Sequence, residues 1–196
     1  MNRLEAAAVA FGIVSVFLSV HQNIWSWPTA IVNVVLYFLL FRSAKLYADM
    51  GLQVVYLVLS VYGWYGWLHG GDHRTPLRVT GLTPRASVVL LAVVAAGTGV
   101  LGALLARTTD AALPWLDSLT TSTSLAAQWM MTRKILENWT VWMAVDVVYV
   151  GMFMYKTLYL TAGLYAVFFA LAAMGQVQWK RDRDAARRSA QPMSAA

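Results

Sequence analysis

Glu137-Asn138-Trp139-Thr140-Val141-Trp142-Met143-Ala144-Val145-Asp146-Val147-Val148-Tyr149 opens a long apolar run and sets an ionisable carboxylate in its middle. At 100° per residue, Trp139, Trp142, Asp146 and Tyr149 fall within an arc of about 80° on one helix face. The other positions of the run are mostly Val, Met, Ala and Phe. Two indoles, a phenol and a carboxylate on one stripe of a hydrophobic helix suit a flat, polar, cationic ligand. Aromatics alone would read as packing. A carboxylate in lipid is costly without a role or a partner, and Asp146 tips the balance towards function.

Composition agrees with a membrane setting. Of 196 residues, 59% are hydrophobic and only 12% charged, and the mean hydropathy is +0.57, values of an integral membrane protein rather than of one or two soluble domains. Cysteine is absent, which removes disulfides, thiolate catalysis and cysteine-based metal sites. The net charge of +6 does not argue for nucleic acid. Its densest cluster, Lys180, Arg181, Arg183, Arg187 and Arg188, follows an apolar segment, where it orients the chain or meets anionic lipid.

Seven apolar segments follow from hydropathy: Leu4–Val20, Ile24–Phe41, Met50–Leu68, Ala86–Ala106, Leu119–Met131, Trp139–Tyr155 and Leu158–Gln178. Most approach the roughly 20 residues that cross a bilayer. The fifth is short and rich in Ser and Thr, and either re-enters or extends back through Asp117. The first has a single Arg before it, an early Glu5 and no small-x-small cleavage site just before the polar His21-Gln22-Asn23, so it reads as a retained helix and not a signal peptide. Loop charges set the orientation. Arg3, Arg42, Lys45, Arg107 and Lys156 fall on one side; Arg74, Arg78, Arg85, Arg133, Lys134 and the five C-terminal basic residues fall on the other. The richer side is expected to be cytoplasmic, with the N-terminus outside and the C-terminus inside.

A shift of 112 positions aligns Trp27 with Trp139, Tyr37 with Tyr149, Phe41 with Phe153 and Tyr47 with Tyr159. It also aligns Gly51 with Gly163, Gly63 with Gly175 and Trp67 with Trp179. The shift spans four helices, an even number, so both halves insert in the same direction. The expected fold is an all-α integral membrane protein of seven transmembrane helices in a 3+1+3 parallel repeat. One transmembrane domain covers residues 1–181, with repeats at about 4–69 and 116–179 and a linker helix at about 86–106. Residues 182–196 read as a basic, disordered cytoplasmic tail.

Further polar stripes belong with the first. Asn33 and Tyr37 are one turn apart in the second segment, and Asn33 lies one position from the repeat equivalent of Asp146. Gln53, Tyr56, Ser60, Trp64 and Trp67 share one face of the third, and Thr121, Ser124 and Gln128 one face of the fifth. Gln53 and Asn33 are the stronger candidates, because a buried amide demands several hydrogen-bond partners. Trp64 and Trp67 sit where an aromatic belt is expected, Arg133-Lys134 reads as a topology anchor, and Lys156 is placed to snorkel.

Met131-Thr132-Arg133-Lys134-Ile135-Leu136-Glu137-Asn138-Trp139-Thr140-Val141-Trp142, followed by Asp146, resembles the signature of the PnuC family of bacterial vitamin transporters, T-R-K-x-x-E-N and then W-x-x-W-x-x-x-N/D. Asn33–Tyr37, Leu52–Tyr56 and Tyr62–Trp67 resemble its second and third helices, and the likeness runs from the first helix through Trp179. The resemblance implies a SWEET-like fold and uptake of nicotinamide riboside, or thiamine or another nucleoside-like vitamin, across the inner membrane. It further implies facilitated diffusion, a cytoplasmic kinase that traps the product, and substrate contacts at Trp139, Trp142, Asp146, Gln53 and Asn33. Tyr149, Tyr56, Tyr37 and Gln128 complete the candidate lining. Asp146 stands where nicotinamide riboside members often carry Asn, and the pyridinium and thiazolium rings are both cations that an indole could stack on. Related folds add a homotrimer as a candidate assembly.

Other classes are poorly provided for. His21, His69 and His73 lie at helix ends or in loops, without a facing pair for haem or an i, i+4 metal pair. There is no Gly-rich phosphate loop and no Ser–His pairing. No catalytic residue, metal or cofactor is therefore expected, nor a nucleic-acid partner; the partners expected are the small-molecule substrate, the bilayer and the kinase. A non-transport membrane protein would explain the repeat but not a carboxylate beside two indoles.

Overall fold

A computed structural model describes residues 3–43, 47–109, 113–155 and 157–190, which hold seven α-helices. They are α1 (Arg3–Val20), α2 (Ser26–Ser43), α3 (Tyr47–His69), α4 (Pro84–Thr108), α5 (Pro114–Thr132), α6 (Asn138–Tyr155) and α7 (Tyr159–Ala190). Lys45 and Lys156 lie outside the described residues. Proline opens α4 and α5, where its missing N–H is no loss. Thr83 caps α4 by accepting from the Ala86 amide at 3.3 Å. By length and composition α1, α2, α4 and α7 can each cross a bilayer. The other three helices carry Gln53, Gln128 and Asp146, residues that lower hydropathy where a polar interior is built.

Of the two readings of the fifth segment, the structure holds the extended one: α5 runs 19 residues and reaches back past Asp117. One expectation needs correction. The stretch from 182 to 190, expected to be disordered, continues α7, whose 32 residues extend about 48 Å against an apolar bilayer core of about 30 Å. Once the span has nucleated the helix, further turns add at little cost, and Gln178 bonds Asp182 one turn on at 3.2 Å. Residues 191–196 lie outside the described residues.

The halves are α1–α3 and α5–α7, with α2 packed between α1 and α3, and α6 packed on both α5 and α7. They meet twice, α1 against α7 and α3 against α5, contacts that the offset of 112 exchanges. α4 packs chiefly on α5. Gly102 and Gly97 bring it close to Trp115 and Ser122, and it leaves Val88, Leu91, Val93 and Val100 exposed, as a helix facing lipid does.

The pseudosymmetry extends to single bonds. Trp27 and Trp67 meet edge-on at 5.2 Å and 89°, and Trp139 and Trp179 at 5.3 Å and 85°. Trp67 Nε1 donates to Met131 O at 3.0 Å, and Trp179 Nε1 to Ser19 O at 3.1 Å. The turns after α1 and α5 each place a non-glycine residue at positive φ, Gln22 at 53° and Lys134 at 49°. These four indoles form the centre of the buried core, where Trp67 and Trp179 also meet at 5.8 Å. Trp67 is thus not part of an aromatic belt: it is 2% exposed, because its symmetry mate occupies the space where lipid was expected.

Candidate functional site

Between the halves lies a cavity of about 430 Å³, within the usual range for a small-molecule site. Asn33 and Tyr37 enter it from α2, Gln53 and Tyr56 from α3, and Gln128 from α5. Trp139, Trp142, Asp146 and Tyr149 enter from α6, so the structure gathers all nine candidate residues around one space. Ser60 and Ser124 join them; Thr121, Trp64 and Trp67 do not. The helical stripes of 3.6-residue period are what converge, because each half turns its polar face towards the other.

The carboxylate is the site's defining group. Asp146 is 4% exposed, and among the described residues no cation reaches it within ion-pair distance and no hydrogen bond is made to it. Asn33 is anchored by donating to Ala8 O at 2.7 Å, which leaves its carbonyl oxygen unused. The two indoles differ in role. Trp139 is 1% exposed and locked edge-on against Trp179, so it offers only part of its surface as wall. Trp142 is half-buried and holds the freer face.

Sequence reasoning missed Tyr165 and Phe168 of α7, which also line the cavity. Tyr165 lies 4.6 Å from Tyr149, 5.4 Å from Phe153 and 6.0 Å from Phe168, completing an aromatic wall. In so apolar a helix one tyrosine carries no stripe. The signal available was the repeat, which pairs Tyr165 with Gln53.

The T-R-K-x-x-E-N segment builds one end of the bundle rather than the cavity. Ile135 pairs with Thr80 in a parallel bridge, and Glu137 Oε2 accepts from the Leu82 amide at 2.8 Å, clamping the α3–α4 loop. Asn138 Nδ2 donates to Ile135 O at 2.6 Å. Lys134 is not a solvated anchor. It is 6% exposed, its Nζ lies 4.4 Å over the Trp67 ring, and it donates to Gln22 Oε1 at 3.1 Å. Gln22 in turn donates to Asp182 at 2.7 Å. Burial lowers the Lys134 ammonium to about 8, partly opposed by the Asp182 carboxylate.

Comparison with known proteins agrees with this architecture. The sequence model of the nicotinamide mononucleotide transporter family matches residues 2–181. The nicotinamide riboside transporter PnuC of Escherichia coli is 25% identical, over 91% of this chain and 85% of that protein. The riboflavin/roseoflavin transporter RibM of Streptomyces davaonensis is 24% identical, over 86% and 80%. The crystal structure of the vitamin B3 transporter PnuC superposes with a TM-score of 0.72 at 24% identity, covering 91% of this chain and 80% of that one. Family match, relatives and fold converge: this seven-helix membrane protein belongs to the nicotinamide mononucleotide transporter family, that of the PnuC vitamin transporters.

Proposed function

We propose that this protein takes up a vitamin carrying a cationic ring, nicotinamide riboside first, across the inner membrane by facilitated diffusion. The observation that carries the substrate class is Asp146, a buried carboxylate without a protein cation, facing an aromatic cavity. Trp142 stacks on the ring, with Trp139 backing the wall behind it; a cation–π contact contributes about 0.5–2 kcal/mol. Gln53, Asn33 and Gln128 hydrogen-bond ribose hydroxyls or the carboxamide, with Tyr37, Tyr56 and Tyr149 closing the sides. Rocking of the parallel halves alternates access. A cytoplasmic kinase adds charge to the product and prevents its return. The function is transport, not catalysis; the basic end of the bundle faces the cytoplasm, the N-terminus lies outside, and a homotrimer is the assembly.

Thiamine is the second reading, favoured by the same feature: Asp146 where nicotinamide riboside members often have Asn. The riboflavin transporter among the relatives marks a third ligand type, but a neutral flavin offers the carboxylate hydrogen-bond donors and no positive charge. Calorimetric titration of purified protein with nicotinamide riboside and thiamine, alongside the W142A variant, is the test. One vitamin should bind wild type and bind W142A about 2- to 30-fold more weakly, as loss of that contact implies; equal affinity in both proteins removes the indole from the site.

A further inference from the structure

The cavity ends at Trp27 and Trp139, and Trp67 and Trp179, which do not line it, seal the space behind them. Within this four-indole cluster the two pairs are held differently. Trp27 lies on Gly63 and Trp139 on Gly175, each a glycine of its own half, so closely that an added methyl would overlap the ring. Neither of their indole N–H groups has a hydrogen-bond partner among the described residues. Trp67 and Trp179 instead reach across, from α3 to Met131 O of α5 and from α7 to Ser19 O of α1. One pair moves with its half; the other ties the halves together.

We propose that Trp67 and Trp179 are the two symmetric catches of the gate at this end of the cavity, released together when the halves part. The proposal rests on the transport reading, since a gate matters only where the cavity must open to both sides. The catches are built to be reversible. Met131 O also accepts from the Lys134 amide at 3.1 Å, and Ser19 O from the Gln22 amide at 3.0 Å, so neither carbonyl is orphaned when an indole leaves. Other ties cross the same divide, among them the Trp67–Trp179 edge contact, Lys134 Nζ over the Trp67 ring, Lys134 to Gln22, and Gln22 to Asp182. The last two lie outside the indole layer and join the α1–α2 turn to the α5–α6 turn and to α7.

The absence of cysteine makes the test direct. Ser60 lines the cavity yet is 1% exposed, so S60C places a single thiol just inside the gate. In oriented membrane vesicles, a membrane-impermeant thiol reagent is applied from either side and the labelling rate measured without substrate. W67F and W179F keep an aromatic ring and lose the N–H; each should raise labelling about three- to tenfold from the side bearing Arg74 and Arg78, and not from the other, as loss of one net hydrogen bond implies. D182N, which weakens the Gln22–Asp182 tie and the charge facing Lys134 while leaving the indoles intact, should raise the same rate to a smaller degree, and it decides the matter if the Phe variants do not reach the membrane. Unchanged labelling from that side, or an equal rise from both sides, overturns the latch. Because no vitamin is added, a protein that binds neither nicotinamide riboside nor thiamine but shows the one-sided rise loses its proposed substrates and keeps its gate.

Discussion

Two pairs of repeat-related glycines look alike in the sequence and are opposite in the structure, and alanine at each separates them. A Cβ at Gly175 would stand 2.5–2.7 Å from Cε2, Cδ2 and Cζ2 of Trp139, where carbon atoms prefer about 3.5–4.0 Å. The ring cannot retreat freely, because Trp179 meets it edge-on at 5.3 Å. A Cβ at Gly163, on the same helix, meets nothing within 4 Å. Both substitutions gain the same helix propensity, about 1 kcal/mol, so their difference isolates the overlap, about 1–3 kcal/mol for overpacking. For a chain of this size that is about 2–12 °C. Thermal unfolding of the purified variants in one detergent should place G175A below G163A by that margin, with G63A below G51A by a similar one. If G175A melts at or above G163A, the indole does not rest on that glycine and the close packing of α6 on α7 is wrong.

Two charged groups give further predictions. D146N should weaken binding of a cationic vitamin about 15- to 100-fold, the range for losing a charge about 6–10 Å from the ring at an effective dielectric of about 20; calorimetry with the uncharged reduced-ring nucleoside as control should show no comparable loss, and equal losses for both would assign Asp146 a structural role. For Lys134, burial moves the folded value from the ordinary 10.5 down to about 8. The unfolded chain then holds more protons between about pH 8 and 10.5, so stability rises with pH through that window and is flat below it. Melting temperatures from pH 7 to 10 should therefore climb relative to K134M, and parallel curves would remove the shift.

The helices and the site stripe were legible because each is a local pattern: apolar runs of bilayer length, and polar residues at helical spacing around Asp146. The repeat was legible because Trp and Gly are scarce enough that matches at one offset mean descent from one unit. What the sequence hid are consequences of pairing. Trp67 and Trp179 align at the offset of 112, but nothing in the alignment says that symmetry mates touch at the axis and bury each other. The same holds for Lys134, whose turn is exposed by every local rule and is covered only because Gln22, Trp67 and Asp182 arrive from elsewhere in the chain. Glu137 and Asn138 sit beside the cavity motif in sequence and serve the loops in space. A charged segment after a span, such as residues 182–190, reads as solvated tail by composition, although a helix already formed carries it on.

Uptake of labelled nicotinamide riboside and thiamine into proteoliposomes, with no ion gradient, bears most directly on the claim that the two halves carry a cationic vitamin through their shared cavity. One of them should equilibrate until inside and outside concentrations match, and enclosed kinase with ATP should then drive accumulation above that level. Entry of neither vitamin beyond protein-free liposomes, or entry only under an imposed proton gradient, would contradict it.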